Sequence, residues 1–308
     1  MKRVVSVSLG SSKRDSSSEV EILGERFAIS RVGTDGDMKR FGEMVRELDG
    51  KVDAIGLGGI DRYLWTDRRR YTVRDADRLA RYAKITPVVD GSGIKNTLER
   101  RTIEHLQDDD IVDFSAMNVL LVSAADRFGM AQTLDKLAKA VVYGDLMFSL
   151  GIPIPMRSYG VVRVLATLML PIVARLPFKW LYPTGAKQEK TTPKYQKYYG
   201  WAHVIAGDWH LIRRTVPTPE SGLLKGKVVI TNTVTPEDKQ MLIDRGVATL
   251  VTGTPQYDGR YYATNVFEGV MISLLGKPPE ETTPEDYEEV LRRMEWKPTV
   301  TDLCSGKV

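Results

Sequence analysis

Asp208 and His210 stand two residues apart in Gly207-Asp208-Trp209-His210. On an extended segment alternate side chains share a face, so the carboxylate would orient the imidazole for general acid–base work. A structural histidine is the competing reading. The chain has only three histidines, His105, His203 and His210. His203 would point away from His210, so no three-ligand set forms and no metal is expected.

Other polar clusters suit binding. Gly10-Ser11-Ser12-Lys13-Arg14-Asp15 offers hydroxyls, free amides and two cations, chemistry that fits a phosphate or carboxylate. A flexible polar turn fits equally well. Asp90-Gly91-Ser92-Gly93 opens a helical segment carrying Lys95, Asn96 and Arg100. Backbone amides at a helix start attract anions, although Asp90 or Ser92 would also serve as a plain N-cap. Ser11, Ser12, Lys13, Asp90 and Lys95 are the candidate substrate-binding residues. In Gly56–Asp61 the glycines allow close backbone approach and Asp61 is a candidate base or ribose ligand; a tight turn explains them too. Thr252–Pro255 and Asn265–Glu268 complete the candidates.

These clusters have a common context. Eight short apolar runs are followed by Gly, Ser, Thr, Asp or Asn: Val4–Leu9, Val52–Leu57, Pro87–Val89, Val119–Val122, Val141–Tyr143, Val204–Ala206, Val228–Ile230 and Ala248–Val251. Helical spacing recurs between them, as at Asp37–Leu48, Ile94–Leu106 and Pro236–Asp244. Val20–Leu23 and Arg26–Val32 flank Gly24-Glu25 as a hairpin. Strand–helix alternation predicts an α/β protein with mainly parallel sheets, whose ligands bind at the carboxyl ends of the strands. Two Rossmann-like domains are expected, at 1–107 and 108–308, parted by the polar link Gln107–Asp110. The second carries an insertion at 146–202. A single (β/α)₈ barrel is the alternative, but the hairpin and the insertion spoil its even spacing.

Composition excludes several classes. The chain has 308 residues, 42% hydrophobic and 27% charged, with a net charge of +4. These are values of a soluble globular protein, and they call for no polyanion. Arg68-Arg69-Arg70 and Arg100-Arg101 read as solvated surface, so no nucleic acid is expected. Cys304 is the only cysteine; a disulfide within the chain and a cysteine-rich zinc site are excluded, and a cytoplasmic setting is expected. No signal peptide is visible. The apolar stretch Tyr159–Tyr182 is broken by Arg163, Arg175, Lys179, Pro171 and Pro177, whereas a membrane span needs about 20 mostly apolar residues. A buried, kinked helix is expected, with an interfacial helix or substrate lid as the sharper alternative; no membrane partner is expected. Met169, Phe178, Trp180 and Tyr182 read as core or lid. The Lys- and Tyr-rich stretch Gly185–Gly200 reads as a lid or surface loop. A homodimer is the candidate assembly.

Val88-Val89-Asp90-Gly91-Ser92-Gly93, the following helix and the strand Val119–Ser123 resemble the shikimate/quinate 5-dehydrogenase family. There an Asp-Gly-x-Gly helix leads into the first strand of the cofactor domain. Val228–Thr233 resembles that family's strand with its Asn-x-Thr turn, and the whole chain looks like bacterial proteins labelled quinate 5-dehydrogenase. The resemblance implies NAD or NADP near Ser123, Asp126, Arg127, Gly129, Asp145 and Asn232. Asp145 would hold the ribose hydroxyls, which favours NAD. It further implies hydride transfer between NAD(P) and a small cyclic hydroxy acid; from the residue reading above, Asp208 and His210 are the candidates to move the proton. The turn Ser123–Met130 departs from the family in keeping only Gly129, and the family's catalytic lysine has no counterpart. A transferase or lyase acting on a phosphorylated or nucleotide-linked substrate is one alternative. A non-catalytic ligand-binding protein is the other. In each reading the partner is a small anionic or polyhydroxylated molecule.

Overall fold

A computed structural model describes residues 1–66, 69–176, 191–254, 256–257 and 260–304. Arg68, Pro255, Phe178, Trp180, Tyr182 and the stretch 185–190 therefore lie outside the described residues. The chain forms two compact units: 1–97 with 169–185 and 256–296, and 98–168 with 186–255 and 297–308.

The first unit opens with β1 (Lys2–Ser8), the hairpin β2 (Ser16–Ile22) and β3 (Glu25–Gly33), α1 (Met38–Leu48) and β4 (Ala54–Gly58). A small hairpin follows, β5 (Tyr63–Trp65) and β6 (Arg70–Thr72), then α2 (Arg74–Ala80), β7 (Val88–Val89) and α3 (Ser92–Asp108). Its sheet has the order β2-β3-β1-β4-β7, parallel except for edge strand β2. β1 is buried from Val4 to Ser8 and β4 throughout, as strands covered on both faces must be. Asp37 starts α1 by accepting from the amides of Lys39 (2.9 Å) and Arg40 (3.0 Å).

The second unit contains β8 (Asn118–Leu121), α4 (Phe128–Leu137), β9 (Ala140–Tyr143), α6 (Gln196–Trp201), β10 (Val204–Ala206), α7 (Trp209–Thr215), β11 (Val228–Thr231), α8 (Pro236–Asp244) and β12 (Thr249–Thr252). Before α6, α5 (Tyr159–Val173) runs on into residues of the first unit. The chain then gives the first unit the hairpin β13 (Gln256–Tyr257) and β14 (Arg260–Tyr261), α9 (Thr264–Leu275) and α10 (Pro284–Arg293). β15 (Thr299–Asp302) closes the second sheet, whose order is β15-β12-β11-β10-β8-β9; only β15 is antiparallel. Side chains alternate between two cores on its two faces. Val119, Leu121, Val204, Ala206, Ile230 and Val251 enter one, while Leu120, Ile205, Val229 and Leu250 enter the other.

All eight apolar runs form strands, and the fold is α/β with mainly parallel sheets. The barrel alternative is excluded, because the strands form two open sheets. The domain limits also differ from those expected. α3 carries the chain unbroken past residue 97, and Gln107–Asp110 merely ends that helix. Residues 256–296 belong to the first unit because α9 lies on β1 and β4, with Val266 and Val270 in that core. This packing also explains Gly56: a Cβ there would lie 2.7 Å from Asn265 Nδ2. Close helix approach, not a ligand, requires that glycine.

Candidate functional site

In the second sheet β9 lies on one side of β8 and β10 on the other. The connection therefore reverses direction at β8, and the loops after β8 and β10 leave from a topological switch point, the usual ligand position in open α/β sheets. The loop after β10 turns at Gly207, whose φ of +124° and 2.7 Å approach of a notional Cβ to Val122 Cγ2 exclude any other side chain without strain.

Arg127 fills this corner and is essentially buried. Its guanidinium binds Glu99 of α3 through Nη1, reaches Asp208 Oδ2 through Nη2 at 3.2 Å, and lies 3.8 Å from Asp126 Oδ2 through Nε. Burial alone would lower its pKa, but these three carboxylates hold it above its ordinary value. Asp126 also pairs with Ser123 Oγ at 2.5 Å. Beside it, Asp145 Oδ1 accepts from the amides of Ala124 (2.9 Å) and Ala125 (2.7 Å). Burial pushes the Asp145 carboxyl up to about 6 against the pull of those amides, and nearby Asp126 adds to the rise. Its Oδ2 is buried and meets no donor among the described residues. Among the described residues, four carboxyl groups thus share this corner with one guanidinium.

The expected roles change accordingly. Asp208 and His210 do not form a dyad, because α7 starts at Trp209 and the segment is helical, not extended. Asp208 caps that helix, accepting from the amides of His210 (2.8 Å) and Leu211 (3.3 Å), and His210 is exposed. Gly129 lies buried in the first turn of α4. Asn232 accepts at its carbonyl from Thr254 Oγ1 (2.9 Å) and at Oδ1 from Thr231 Oγ1 (3.1 Å). Ser123, Asp126, Arg127, Asp145 and Asp208 are brought together. Sequence reasoning missed Glu99; its signal was a carboxylate one helical turn before the buried Thr102 and Ile103.

The candidates of the first unit are largely committed to structure. Ser11 Oγ accepts from Lys13 N (3.2 Å), Ser12 N donates to Asp35 Oδ1 (2.9 Å), and Arg31 ties Ser11 O and Asp15 into the same turn (3.1 Å each). Asp90 accepts four bonds: Arg62 N (2.6 Å), Tyr63 N (2.8 Å), Ser92 N (3.0 Å) and Ser92 Oγ (2.7 Å). The place of the anion expected at the start of α3 is taken by the chain's own Glu268 carboxyl. It accepts from Gly91 N (2.6 Å) and from the Tyr287 hydroxyl (2.8 Å). Burial, helped by Asp90, pushes this carboxyl up to about 8. Lys95 is half-buried on α3. A groove of about 510 Å³ lies instead at the opposite strand ends of this unit, lined by Asp53, Arg62, Lys84, Thr86, Lys277 and Glu280 among others. No group of three or more His, Cys, Asp or Glu side chains among the described residues could hold a metal, and no helix among them is long and apolar enough to cross a membrane.

Residues 93–303 match the family model described as Domain of unknown function (DUF8754). The chain belongs to this family. Residues 3–90 match a second model, Domain of unknown function (DUF8753). No curated protein matches. Similar solved structures include a periplasmic solute-binding protein of an ABC transporter from Actinobacillus succinogenes 130z with bound D-allose (10% identity, 98% of each chain, TM-score 0.38). Another is the periplasmic binding protein of the arabinose ABC transporter from Shewanella sp. ANA-3 (12%, 96% of this chain and 97% of that one, 0.36). A third is aspartate transcarbamoylase from Trypanosoma cruzi (8%, 89% and 81%, 0.33). The shikimate/quinate dehydrogenase resemblance is corrected by the family match, and the oxidoreductase and NAD assignments go with it. The physical reason lies in the turn after β8: Asp145 occupies the amides that a diphosphate would need, and Asp126 adds negative charge beside them. The residues present do not fit a dinucleotide.

Proposed function

We propose that this protein binds a small, neutral, polyhydroxylated ligand without transforming it, at the switch point of the second unit. The observation that carries this reading is the excess of carboxylates there. Among the described residues, Glu99, Asp126, Asp145 and Asp208 outnumber the single cation Arg127 there. A phosphate or carboxylate ligand would meet net repulsion. Hydroxyl groups would not: they donate to carboxylates and accept from a guanidinium, and vicinal hydroxyls match two-oxygen acceptors. Asp126 and Asp208 keep 35% and 23% of their side-chain surface exposed, and their partners already fix their orientation. Such preorganisation reduces the ordering cost of binding. The lack of an Asp208–His210 dyad supports binding over catalysis.

Thermal unfolding with a panel of pentoses, hexoses and inositols tests the reading, with inorganic phosphate, NAD and NADP as controls. A ligand that binds only the folded state stabilises it by about 2.7 kcal/mol at one hundred times its Kd. At least one polyol should raise Tm saturably, be recovered unchanged, and lose tenfold or more in affinity with Asp126→Asn. Shifts by phosphate or a dinucleotide alone, or by nothing in the panel, would refute the proposal.

A further inference from the structure

α5 is apolar on two sides. Val162, Ala166 and Leu170 are buried, whereas Val161, Val164, Leu168 and Ile172 are 55%, 57%, 66% and 64% exposed. At 100° per residue those four fall within an arc of about 80°, forming a stripe roughly 16 Å long. Among the described residues, twelve large hydrophobic side chains are exposed, and seven lie between Leu150 and Ile172, the others in this group being Leu150, Ile152 and Ile154. Isolated exposed apolar residues need no explanation, but a concentrated patch does.

Charge says what the patch meets. Residues 146–188 hold no Asp or Glu. Exposed Arg157 stands just before α5 and exposed Arg175 just after it, so a cation closes each end of the stripe. A second copy of the chain, packed symmetrically, would set arginine against arginine or against apolar surface. An anionic lipid surface offers an acyl boundary for the stripe and negative headgroups for its ends. We propose that α5 lies flat on anionic membranes, its Val161–Ile172 stripe buried in the headgroup–acyl boundary. α5 has 15 residues and includes Pro171, a helix for the surface and not for a span. This inference is independent of the ligand proposed above.

Co-sedimentation of the full chain with phosphatidylcholine vesicles, with and without phosphatidylglycerol, tests it. The protein should pellet with the anionic vesicles. Leu168→Glu with Ile172→Glu should weaken binding at least tenfold while leaving the circular dichroism spectrum unchanged. Arg157→Gln with Arg175→Gln should weaken it several-fold and blunt its salt dependence. Wild-type protein that stays in the supernatant, or a Leu168→Glu/Ile172→Glu variant that pellets like wild type, overturns the proposal. So does a wild-type dimer that this variant turns into monomer without any vesicle binding, since the stripe would then be a contact between copies. If the double glutamate variant misfolds, the arginine pair decides: unchanged binding and salt dependence would also overturn it.

Discussion

Each unit presents strand-end backbone amides to a carboxylate of its own chain, but the two corners differ in how completely that carboxylate is satisfied. In the first unit Asp90 accepts four donors and Glu268 is held by Gly91 N and the Tyr287 hydroxyl, all in a tightly packed setting. In the second, Asp145 takes two amides with one oxygen while the other meets no donor among the described residues, and Asp126 and Asp208 stay partly open to solvent. The same dipoles that make a strand end attract anions can be spent on structure or left available. The first corner is closed by structure; the second is charged, oriented and unfinished.

Arg127 gives the harshest test of this contrast. Arg127→Met would leave Glu99 buried beside other carboxylates, a change of about 3–5 kcal/mol. Denaturant unfolding should show that loss, and a shift below about 1 kcal/mol would mean the cluster is not held by the guanidinium.

The Glu268 carboxyl is the next test. Its pKa in the folded protein is near 8, above the ordinary 4.5, so folding favours the protonated form. The associated stability is complete below about 4.5 and is lost as pH rises through about 8. Unfolding free energy should therefore fall between pH 5 and 8, and Glu268→Gln should flatten that slope. Parallel pH curves for the two proteins would count against a closed, desolvated corner.

The smallest expected effect belongs to His210. With its side chain exposed and Asp208 bonded to its amide, His210→Ala should change stability by less than about 0.5 kcal/mol and leave ligand affinity unaltered. A large loss of either would restore the dyad.

Much of the scaffold was legible in the sequence because strands buried on both faces read as uninterrupted apolar runs, as at Val119–Val122 and Val204–Ala206. The hairpin β2–β3 was legible from Gly24-Glu25 for a similar local reason. The chemistry was less legible, because the same residue types serve capping and catalysis. Asp208 was visible as a functional acid, yet the preference of aspartate for an N-cap turned the segment into a helix and removed its partner. Asp145 was visible as a strand-end acid, but not that it would fold back onto the Ala124 and Ala125 amides. Pairings such as Glu268 with Gly91 join residues far apart in sequence, and no local pattern announces them.

The central claim is that hydroxyl groups of a neutral ligand meet the carboxylates at the ends of β8 and β10. A crystal structure of the protein saturated with the best polyol of the panel tests this directly. The account predicts ligand oxygens within hydrogen-bond distance of Asp126 and next to the Arg127–Asp208 pair. A ligand seated in the groove lined by Arg62, Lys84 and Lys277, away from Asp126, would contradict it.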